Sequence, residues 1–253
     1  ALGSAAIFLP QSRLTKPGLT RAVLITTVVL TLLFAGGFSR LFTAEVLHRQ
    51  ALNKGLGTSE AFNFEQRALQ LFPWRAIYHT THALTSFGLA NQFAGKENPT
   101  DEEKNQIQLL VAQAIEEGRE ATNLSPLDVG NWENLAQIYR SLVGLAEDAE
   151  TWAADAYQRA IGLDLFNPIL RVNLGGLYFQ TGQFELAVEQ FRTAVNLKPE
   201  FANAHYNLAV AYREIERIDL AIKELELTLR LSTSQTQGYD EAKLLLEELK
   251  AQQ

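Results

Sequence analysis

Residues 171–212 read RVNLGGLYFQTGQFELAVEQFRTAVNLKPEFANAHYNLAVAY. In and around this stretch the same kinds of residue return after 34 positions, in the pairs Leu174 and Leu208, Tyr178 and Tyr212, Ala187 and Ala221, Ala153 and Ala187, Tyr157 and Phe191, and Ala160 and Ala194. A fixed period of this length is typical of a protein built from stacked copies of one supersecondary unit. Because one unit cannot bury its apolar face alone, its stability depends on the units beside it.

Each period contains the residue types that two packed helices need. Leucine and tyrosine at helical spacing, beginning with Leu174, form the apolar stripe of a first helix. Small residues such as Ala187 allow a second helix to approach closely, while the ring of Phe191 fills the space between units. Gly182 lies where the chain must reverse, and a proline such as Pro199 ends the second helix.

The order of these residues resembles the tetratricopeptide repeat. One unit reads Arg171-x2-Leu174-Gly175-x2-Tyr178, then Ala187-x3-Phe191-x2-Ala194-x4-Pro199. The next reads His205-x2-Leu208-Ala209-x2-Tyr212, then Ala221-x3-Leu225, and the preceding one reads Trp132-x2-Leu135-Ala136-x2-Tyr139, then Ala153-x3-Tyr157-x2-Ala160. The resemblance implies a stack of helix pairs whose first helices line a concave groove.

The predicted fold is therefore all-α, a tetratricopeptide-type α-solenoid with three regular units over residues 128–235. Two degenerate helix pairs are predicted over residues 41–127, where only the second helices keep the family's intervals, at Ala61, Ala68 and Pro73 and at Ala114, Ala121 and Pro126. Residues 236–253 are predicted to form a charged capping helix, and residues 1–40 a basic and apolar segment. Five extra residues between Tyr139 and Ala153 are expected to lengthen one or both helices at their turn.

The first 40 residues differ from the rest of the chain in charge. They contain no acid, whereas the remaining residues carry all 29 acids; their bases are Arg13, Lys16, Arg21 and Arg40. Residues 22–38, AVLITTVVLTLLFAGGF, contain no charge, and residues 39–42 extend them to roughly the 20 residues of a spanning helix. We predict a hydrophobic transmembrane helix that contacts membrane lipid through residues 22–42. A signal segment and a buried soluble helix are the alternatives.

The sequence before this helix bears on its orientation. Residues 1–10, ALGSAAIFLP, are a candidate for the end of an earlier span, with residues 11–21 as a basic loop. The bases on the two sides of residues 22–38 are equal in number, but those on the N-terminal side are more tightly clustered. That cluster and the absence of cysteine favour a repeat domain outside the cytoplasm.

The composition argues against catalysis, a cofactor, a metal and nucleic acid. There is no cysteine, and no glycine-rich phosphate loop, G-x-S-x-G or H-E-x-x-H motif occurs. Of the four histidines, His79 and His82 are close enough to share a helix face, but no further ligand accompanies them at metal-binding spacing. Residues 41–253 hold all 29 acids against 18 bases, and this acidic body argues against nucleic acid, because phosphate binding requires a clustered basic face. We therefore expect no enzyme active site in these residues.

The remaining function is binding in the groove that the resemblance implies. Asparagines stand at equivalent places in the three first helices, at Asn134, Asn173 and Asn207. An amide offers both a donor and an acceptor, which suits the backbone of an extended peptide. The alternative is that these asparagines form bonds between repeats. Four further side chains are expected to face the same groove: Arg140, Phe179, Tyr206 and Arg213.

One binding mode of the family is not expected here. Family members that hold a terminal carboxylate place a lysine directly before the asparagine. In this chain those positions hold Glu133, Val172 and Tyr206. A groove of mixed aromatic and polar groups suits a peptide, a helix or part of another subunit.

The chain as a whole also resembles the C-terminal part of multipass bacterial O-antigen ligases and polymerases that carry an appended repeat domain. The resemblance rests on the basic loop, the span and the phrases LFPWRAIYH (71–79) and NLSPLDVGNWENLAQIYR (123–140). We predict a membrane-anchored scaffold or adaptor in a bacterial envelope, with a protein or peptide partner. The alternatives are the accessory region of such a glycan transferase and a self-assembling homo-oligomer that forms filaments.

Overall fold

The structure, a computed structural model, describes residues 17–233 and 238–252. Within these ranges every regular element is a helix. The helices are α1 (Pro17–Lys54), α2 (Ser59–Leu71), α3 (Ala76–Ala94), α4 (Asp101–Leu124), α5 (Val129–Ser141), α6 (Ala149–Leu163), α7 (Pro168–Gln180), α8 (Phe184–Leu197), α9 (Ala202–Glu214), α10 (Ile218–Leu231) and α11 (Tyr239–Ala251). The all-α prediction is confirmed. The candidate earlier span in residues 1–10 and residues 11–16 of the basic loop lie outside the described residues.

Consecutive helices pack as pairs, α1 with α2, α3 with α4, α5 with α6, α7 with α8, and α9 with α10. Each second helix then contacts the first helix of the next pair, and α11 packs on α10. The predicted α-solenoid of three regular pairs, two irregular pairs and a capping helix is confirmed. In the first irregular pair the first helix is the C-terminal part of α1, and the second pair is longer than the regular ones, with 19 and 24 residues.

Alanines seven residues apart hold the paired helices together. Residues i and i+7 lie on one helix face, and a methyl side chain lets two backbones approach closely. These alanines are fully buried or nearly so: Ala61 and Ala68 in α2, Ala114 and Ala121 in α4, Ala153 and Ala160 in α6, and Ala187 and Ala194 in α8. In α10 the second place is taken by Thr228, whose hydroxyl donates to the Glu224 carbonyl at 2.9 Å.

Gly175 of α7 leaves room for the ring of Phe191 on α8. A Cβ atom built on Gly175 would lie 2.6 Å from Cε1 of Phe191, well inside van der Waals contact. The Phe191 ring is buried in a cluster with Ala187, Leu208 and Ala211 and so joins two successive pairs. The size of one residue on α7 therefore controls how closely α8 packs.

In three of the loops between repeats, a hydrogen bond joins the loop to the first helix of the repeat that follows. In each, a ring nitrogen lies against the carbonyl of the proline six residues earlier: His79 Nε2 and Pro73 at 2.7 Å, Trp132 Nε1 and Pro126 at 2.8 Å, and His205 Nε2 and Pro199 at 2.9 Å. The loop between α6 and α7 has Leu165 and Arg171 at these two places. Proline and ring are therefore present together or replaced together.

The five extra residues of the 128–167 unit form a loop. α5 has 13 residues, as α7 has, and α6 is only one residue longer than α8. Residues 142–148 connect them, and within this loop Gly144 and Asp148 have φ angles of +84° and +58°. Because left-handed residues interrupt a right-handed helix, the extra residues cannot continue α5. The expectation that they lengthen the helices at their turn is wrong, apart from that one residue of α6.

The capping helix covers the last pair. Ala242, Leu245 and Leu249 of α11 pack against Ala209, Ala221 and Leu225 of α9 and α10. The ammonium group of Lys250 also contacts a carboxylate oxygen of Glu226 at 2.7 Å. An apolar face that the last pair would otherwise expose is thus covered by a helix with a charged outer side.

Helix α1 has two parts with opposite environments and no break between them. Its large apolar side chains from Val23 to Phe38 are 48% to 77% exposed. From Ala44 onward its inner face is buried, at Ala44, Leu47, His48 and Ala51. By length and composition residues 23–54 are able to cross a membrane, and none of the most apolar 18-residue stretch is buried within the chain.

We predict that Gly175→Ala destabilises the solenoid by about 1–3 kcal/mol, because the added methyl overlaps the Phe191 ring and forces it out of place. The measurement is the urea midpoint of the whole chain in mild detergent, followed by circular dichroism.

Gly162→Ala is the matched control, because a Cβ atom at Gly162 meets nothing within 4 Å. This change should be neutral or should stabilise by up to about 0.5–1 kcal/mol through helix propensity. Equal effects of the two substitutions would contradict the close contact at Gly175.

Candidate partner-binding groove

The side chains predicted to line the groove lie on the first helices of the three regular pairs. Each is partly exposed, on α5 (Asn134, Arg140), on α7 (Asn173, Phe179) and on α9 (Tyr206, Asn207, Arg213). Arg140, Phe179 and Arg213 occupy equivalent positions near the C-terminal ends of these helices. The structure brings Arg140 and Asn173 together, while Asn207 and Arg213 bond to residues of their own helix and Tyr206 packs against the cluster under α11.

Arg140 forms the centre of a polar cluster between α5 and α7. Its Nε donates to Oε1 of Gln180 at 3.1 Å, and its Nη1 donates to the carbonyl of Asn173 at 3.3 Å. The amide nitrogen of Asn173 donates to Oε1 of Glu133 at 2.9 Å. The cluster thus holds one positive charge, one negative charge and two amides.

A small cavity of about 260 Å³ opens beside this cluster. It is lined by Gln137, Arg140, Ser141, Tyr157, Asn173 and Gln180. Tyr157 is fully buried at its floor. Burial raises the pKa of the Tyr157 hydroxyl, and the nearby positive charge of Arg140 opposes that rise. The hydroxyl therefore stays protonated at neutral pH and is able to donate a hydrogen bond.

Gly176 explains how Arg140 reaches the next repeat. A Cβ atom built on Gly176 would lie 2.8 Å from Nη2 of Arg140, so a larger residue would displace the guanidinium. The equivalent positions in the neighbouring units hold Gln137 and Val210. The sequence analysis did not predict Glu133, Gln137 or Gln180 as groove residues. The second glycine of the Gly175-Gly176 pair is the sequence signal that could have identified this site.

The other predicted groove residues have local partners. The amide of Asn207 donates to the carbonyl and to Oδ1 of Asn203, at 2.9 Å and 2.8 Å, and Arg213 donates to Oε1 of Glu214. The ring of Phe179 packs edge-on against Phe184, with centroids 5.2 Å apart. Two of the three asparagines thus already have hydrogen bonds inside the chain, one between first helices and one within α9.

A larger cleft of about 660 Å³ lies on the side of the second helices, between α4 and α6. Its charged groups are largely engaged inside the chain. Glu117 contacts the ring of His79 at 2.6 Å, and Arg119 donates to the Tyr139 hydroxyl at 2.7 Å while it stacks over the Trp152 ring. These bonds join neighbouring helices, so we assign the cleft a role in packing and place the candidate site at Arg140.

The histidine pair considered as metal ligands has structural partners. Nδ1 of His79 faces Glu117 and its Nε2 faces the Pro73 carbonyl, while Nε2 of His82 lies 2.8 Å from the side-chain nitrogen of Gln113. A carbonyl and a carboxylate only accept hydrogen bonds, so the ring of His79 donates to both at once only in its protonated form. Among the described residues no three His, Cys, Asp or Glu side chains are grouped to hold a metal.

The environments of these two rings shift their pKa values in opposite directions. Burial lowers the pKa of His79, but the hydrogen bonds to Glu117 and Pro73 and the charges of Glu117 and Glu120 outweigh it, so the pKa is raised. Burial lowers the pKa of His82, and the charge of His79 adds to the decrease while Glu117 opposes it.

Two family models match the chain, one described as TPR repeat over residues 175–216 and one as tetratricopeptide repeat over residues 202–235. A curated protein of Hordeum vulgare, the probable UDP-N-acetylglucosamine--peptide N-acetylglucosaminyltransferase SPINDLY, is 29% identical over 124 residues. The match covers 46% of this chain, and the chain spans only 13% of that protein.

Solved structures share the fold at low sequence identity. A MamA protein is 19% identical with a TM-score of 0.56, covering 78% of this chain and 91% of its own. YrrB, described as a TPR protein with an unusual peptide-binding site, is 19% identical with a TM-score of 0.54. The match covers 83% of this chain and 90% of YrrB. A thermophilic TPR protein of Thermus thermophilus is 17% identical with a TM-score of 0.52. The match covers 85% of this chain and 99% of that protein. None of these relatives is an O-antigen ligase, so that resemblance stays a prediction.

We predict that His79 titrates above its ordinary pKa of 6.5 and His82 below it. The stability that His79 contributes is then complete below pH 6.5 and is lost as the pH rises through its folded pKa. For His82 the sign is opposite, and stability is lost as the pH falls through its lowered pKa. Two-dimensional NMR of the four imidazoles measures both values.

Glu117→Gln should lower the pKa of His79, because it removes the charge that faces Nδ1. Glu116→Gln is the matched control, since Glu116 is exposed on the same helix. A His79 pKa that responds equally to both variants would contradict the role of Glu117.

Proposed function

We propose that this chain, which contains tetratricopeptide repeats, is a membrane-anchored scaffold that holds a protein or peptide partner in the groove of its first helices. The anchor is residues 22–42, and the repeats serve as an adaptor in a bacterial envelope, outside the cytoplasm. The proposed contacts with the partner centre on Arg140 and Asn173. The other candidate groove residues, Asn134, Phe179, Tyr206, Asn207 and Arg213, extend that surface.

The observation that carries this proposal is the division of α1. One half exposes a continuous apolar surface, which is costly in water, and the other half is buried as the first helix of the first pair. A helix of this kind joins a lipid phase to a repeat domain without a flexible linker. The tight basic cluster before the helix and the absence of cysteine support the extracytoplasmic side.

The chemistry of the Arg140 cluster supports a peptide partner. Guanidinium and amide groups offer donors and acceptors at fixed positions, which suits a peptide backbone with an acidic or amide side chain. The cavity of about 260 Å³ has room for one side chain. Since Glu133, Val172 and Tyr206 replace the clamp lysine, the partner's terminal carboxylate is not the recognised group.

Two other functions remain open to test. The accessory region of an O-antigen ligase-like transferase is supported by the sequence resemblance alone, and several further spans encoded upstream of residue 1 would favour it. A filament subunit would bury the apolar half of α1 between copies. Such an assembly stays dispersed in water without detergent, whereas a lipid anchor requires detergent or vesicles.

We predict that the chain floats with lipid vesicles in a density gradient and that Leu30→Arg with Leu33→Arg abolishes flotation. Each arginine at the centre of a spanning helix costs about 2.5–3.5 kcal/mol on the insertion scale. Leu145→Arg with Leu244→Arg is the matched control, since both leucines are exposed on the repeat domain. An unaltered chain that stays at the bottom of the gradient would defeat the anchor.

We predict that Arg140→Ala weakens partner capture by about 30-fold, equivalent to the roughly 2 kcal/mol of an arginine at the centre of an interface. Asn173→Ala with Asn207→Ala should weaken it as well, with helical content intact. The measurement is the amount of partner that co-purifies with the tagged chain from membranes, quantified by mass spectrometry.

Arg159→Ala controls for loss of charge, because Arg159 is an exposed arginine on α6, outside the groove. Its variant should capture the partner as the unaltered chain does. Unchanged capture by Arg140→Ala would move the binding site away from this cluster.

A further inference from the structure

The loops between repeats lie at the edge of the solenoid from which α1 projects. α1 is the first helix of its pair, and its residues before 41 extend past the N-terminal end of that pair. Loops 72–75 and 125–128 each lead into the N-terminal end of the next first helix. First helices of neighbouring repeats run side by side, so these two loops are at the same edge. We call it the loop edge.

Contacts made by α2 and α3 with α1 show which residue of α1 lies opposite the loop edge. The ring of His48 contacts Glu65 of α2 at 2.6 Å, so α2 runs back along α1. At the end of α2, Nη1 of Arg75 lies 2.5 Å from Oε2 of Glu45, and the Tyr78 hydroxyl donates to the same oxygen at 3.1 Å. Loop 72–75 is therefore level with Glu45.

This level is close to the end of the apolar half of α1. Phe42 is the last exposed large apolar residue of the predicted span, and Glu45 follows it by three residues, or about 4.5 Å of helix. The headgroup layer on each side of the hydrocarbon core is about 5–7 Å thick. A helix that spans the bilayer up to Phe42 therefore places loop 72–75 within the headgroup layer.

The residues that the loop edge presents suit that layer. Trp74 is 74% exposed and Leu127, in the adjacent loop, is 81% exposed. Tryptophan is enriched where bilayers meet water because its ring is apolar and its N–H is polar. Exposure alone does not identify the surface, since Leu145 at the opposite edge is 84% exposed. What distinguishes Trp74 and Leu127 from Leu145 is that they lie at the edge from which α1 projects.

We propose that the loop edge, through Trp74 and Leu127, rests in the headgroup layer of the same bilayer that α1 crosses. This inference rests on the membrane anchor of the proposed function and adds a second contact with lipid. A helix alone leaves the repeat domain able to rotate and tilt about the membrane normal. A second contact at the loop edge fixes the tilt and holds the groove at one angle to the membrane.

The bilayer is favoured over a second copy of the chain because the loop edge is continuous with the lipid-facing part of α1. Phe38 and Phe42 are each 62% exposed, and Glu45, three residues after Phe42, contacts Arg75 in the same loop as the exposed Trp74. A bilayer that surrounds α1 meets this edge at the depth calculated above. A protein partner would have to enter the same narrow space between the domain and the lipid.

The first test uses tryptophan fluorescence of the chain in vesicles of phosphatidylcholine and phosphatidylglycerol. Replacing part of the lipid with phosphatidylcholine brominated near the headgroup should quench part of the emission of the unaltered chain. The quenched part should disappear in Trp74→Phe, while the emission of Trp132 and Trp152 persists. Equal quenching in both proteins would overturn the assignment of Trp74.

The second test uses spin labels, for which the cysteine-free sequence is an advantage. Leu127→Cys and the matched control Leu145→Cys are labelled and reconstituted in the same vesicles. The label at 127 should be more accessible to oxygen than to a water-soluble nickel chelate, and the label at 145 should show the reverse.

The outcomes separate the two proposals. A chain that floats with vesicles but shows an aqueous label at 127 and no quenching of Trp74 overturns the loop-edge contact and leaves the anchor intact. A chain that does not float overturns both. Spin–spin broadening of the label at 127 that persists when the lipid is replaced by detergent overturns the lipid contact and assigns the edge to a second copy.

Discussion

The close approach of paired helices at buried alanines is the constraint on which the rest of this structure depends. Residues such as Ala187 and Ala194 keep two backbones near enough for large side chains to fill the remaining space between pairs. Interiors packed to this density tolerate little change in volume, which is why Gly175 must lack a side chain opposite Phe191. One pair cannot cover its own outer face, so the last pair is covered by α11.

Polar groups inside the stack determine how each pair meets the next. The rings of His79, Trp132 and His205 bond to the carbonyls of the loop prolines and so tie each of these loops to the first helix that follows it. Glu65 is fully buried against His48, and burial raises the pKa of its carboxyl while the hydrogen bond from His48 opposes the rise. Because desolvation offsets much of the attraction in such a pair, its main effect is to align α1 with α2.

The continuity of α1 connects the packing to the proposed function. One helix carries both the exposed apolar surface and the buried face at Ala44, Leu47 and Ala51, so any force on the anchor reaches the repeats directly. The Arg140 cluster lies between the third and fourth helix pairs, where the first helices of two regular repeats, α5 and α7, meet. In the proposed arrangement the bilayer sets the orientation of the domain, and the groove presents its polar groups to a partner at a fixed angle.

The 34-residue period determined the repeat class and the three regular pairs, because the side chains that pack a helix pair must recur wherever the pair recurs. The charged amphipathic stretch after Gly238 indicated the capping helix. The acid-free first 40 residues determined that one helix differs from the others. Only the tertiary structure decided that α1 belongs to both regions, and that residues 142–148 form a loop, because left-handed φ angles are not visible in a periodic pattern. It alone also placed Arg140 beside Asn173, Gln180 and Gly176, since residues 33 to 40 positions apart meet only when repeats stack.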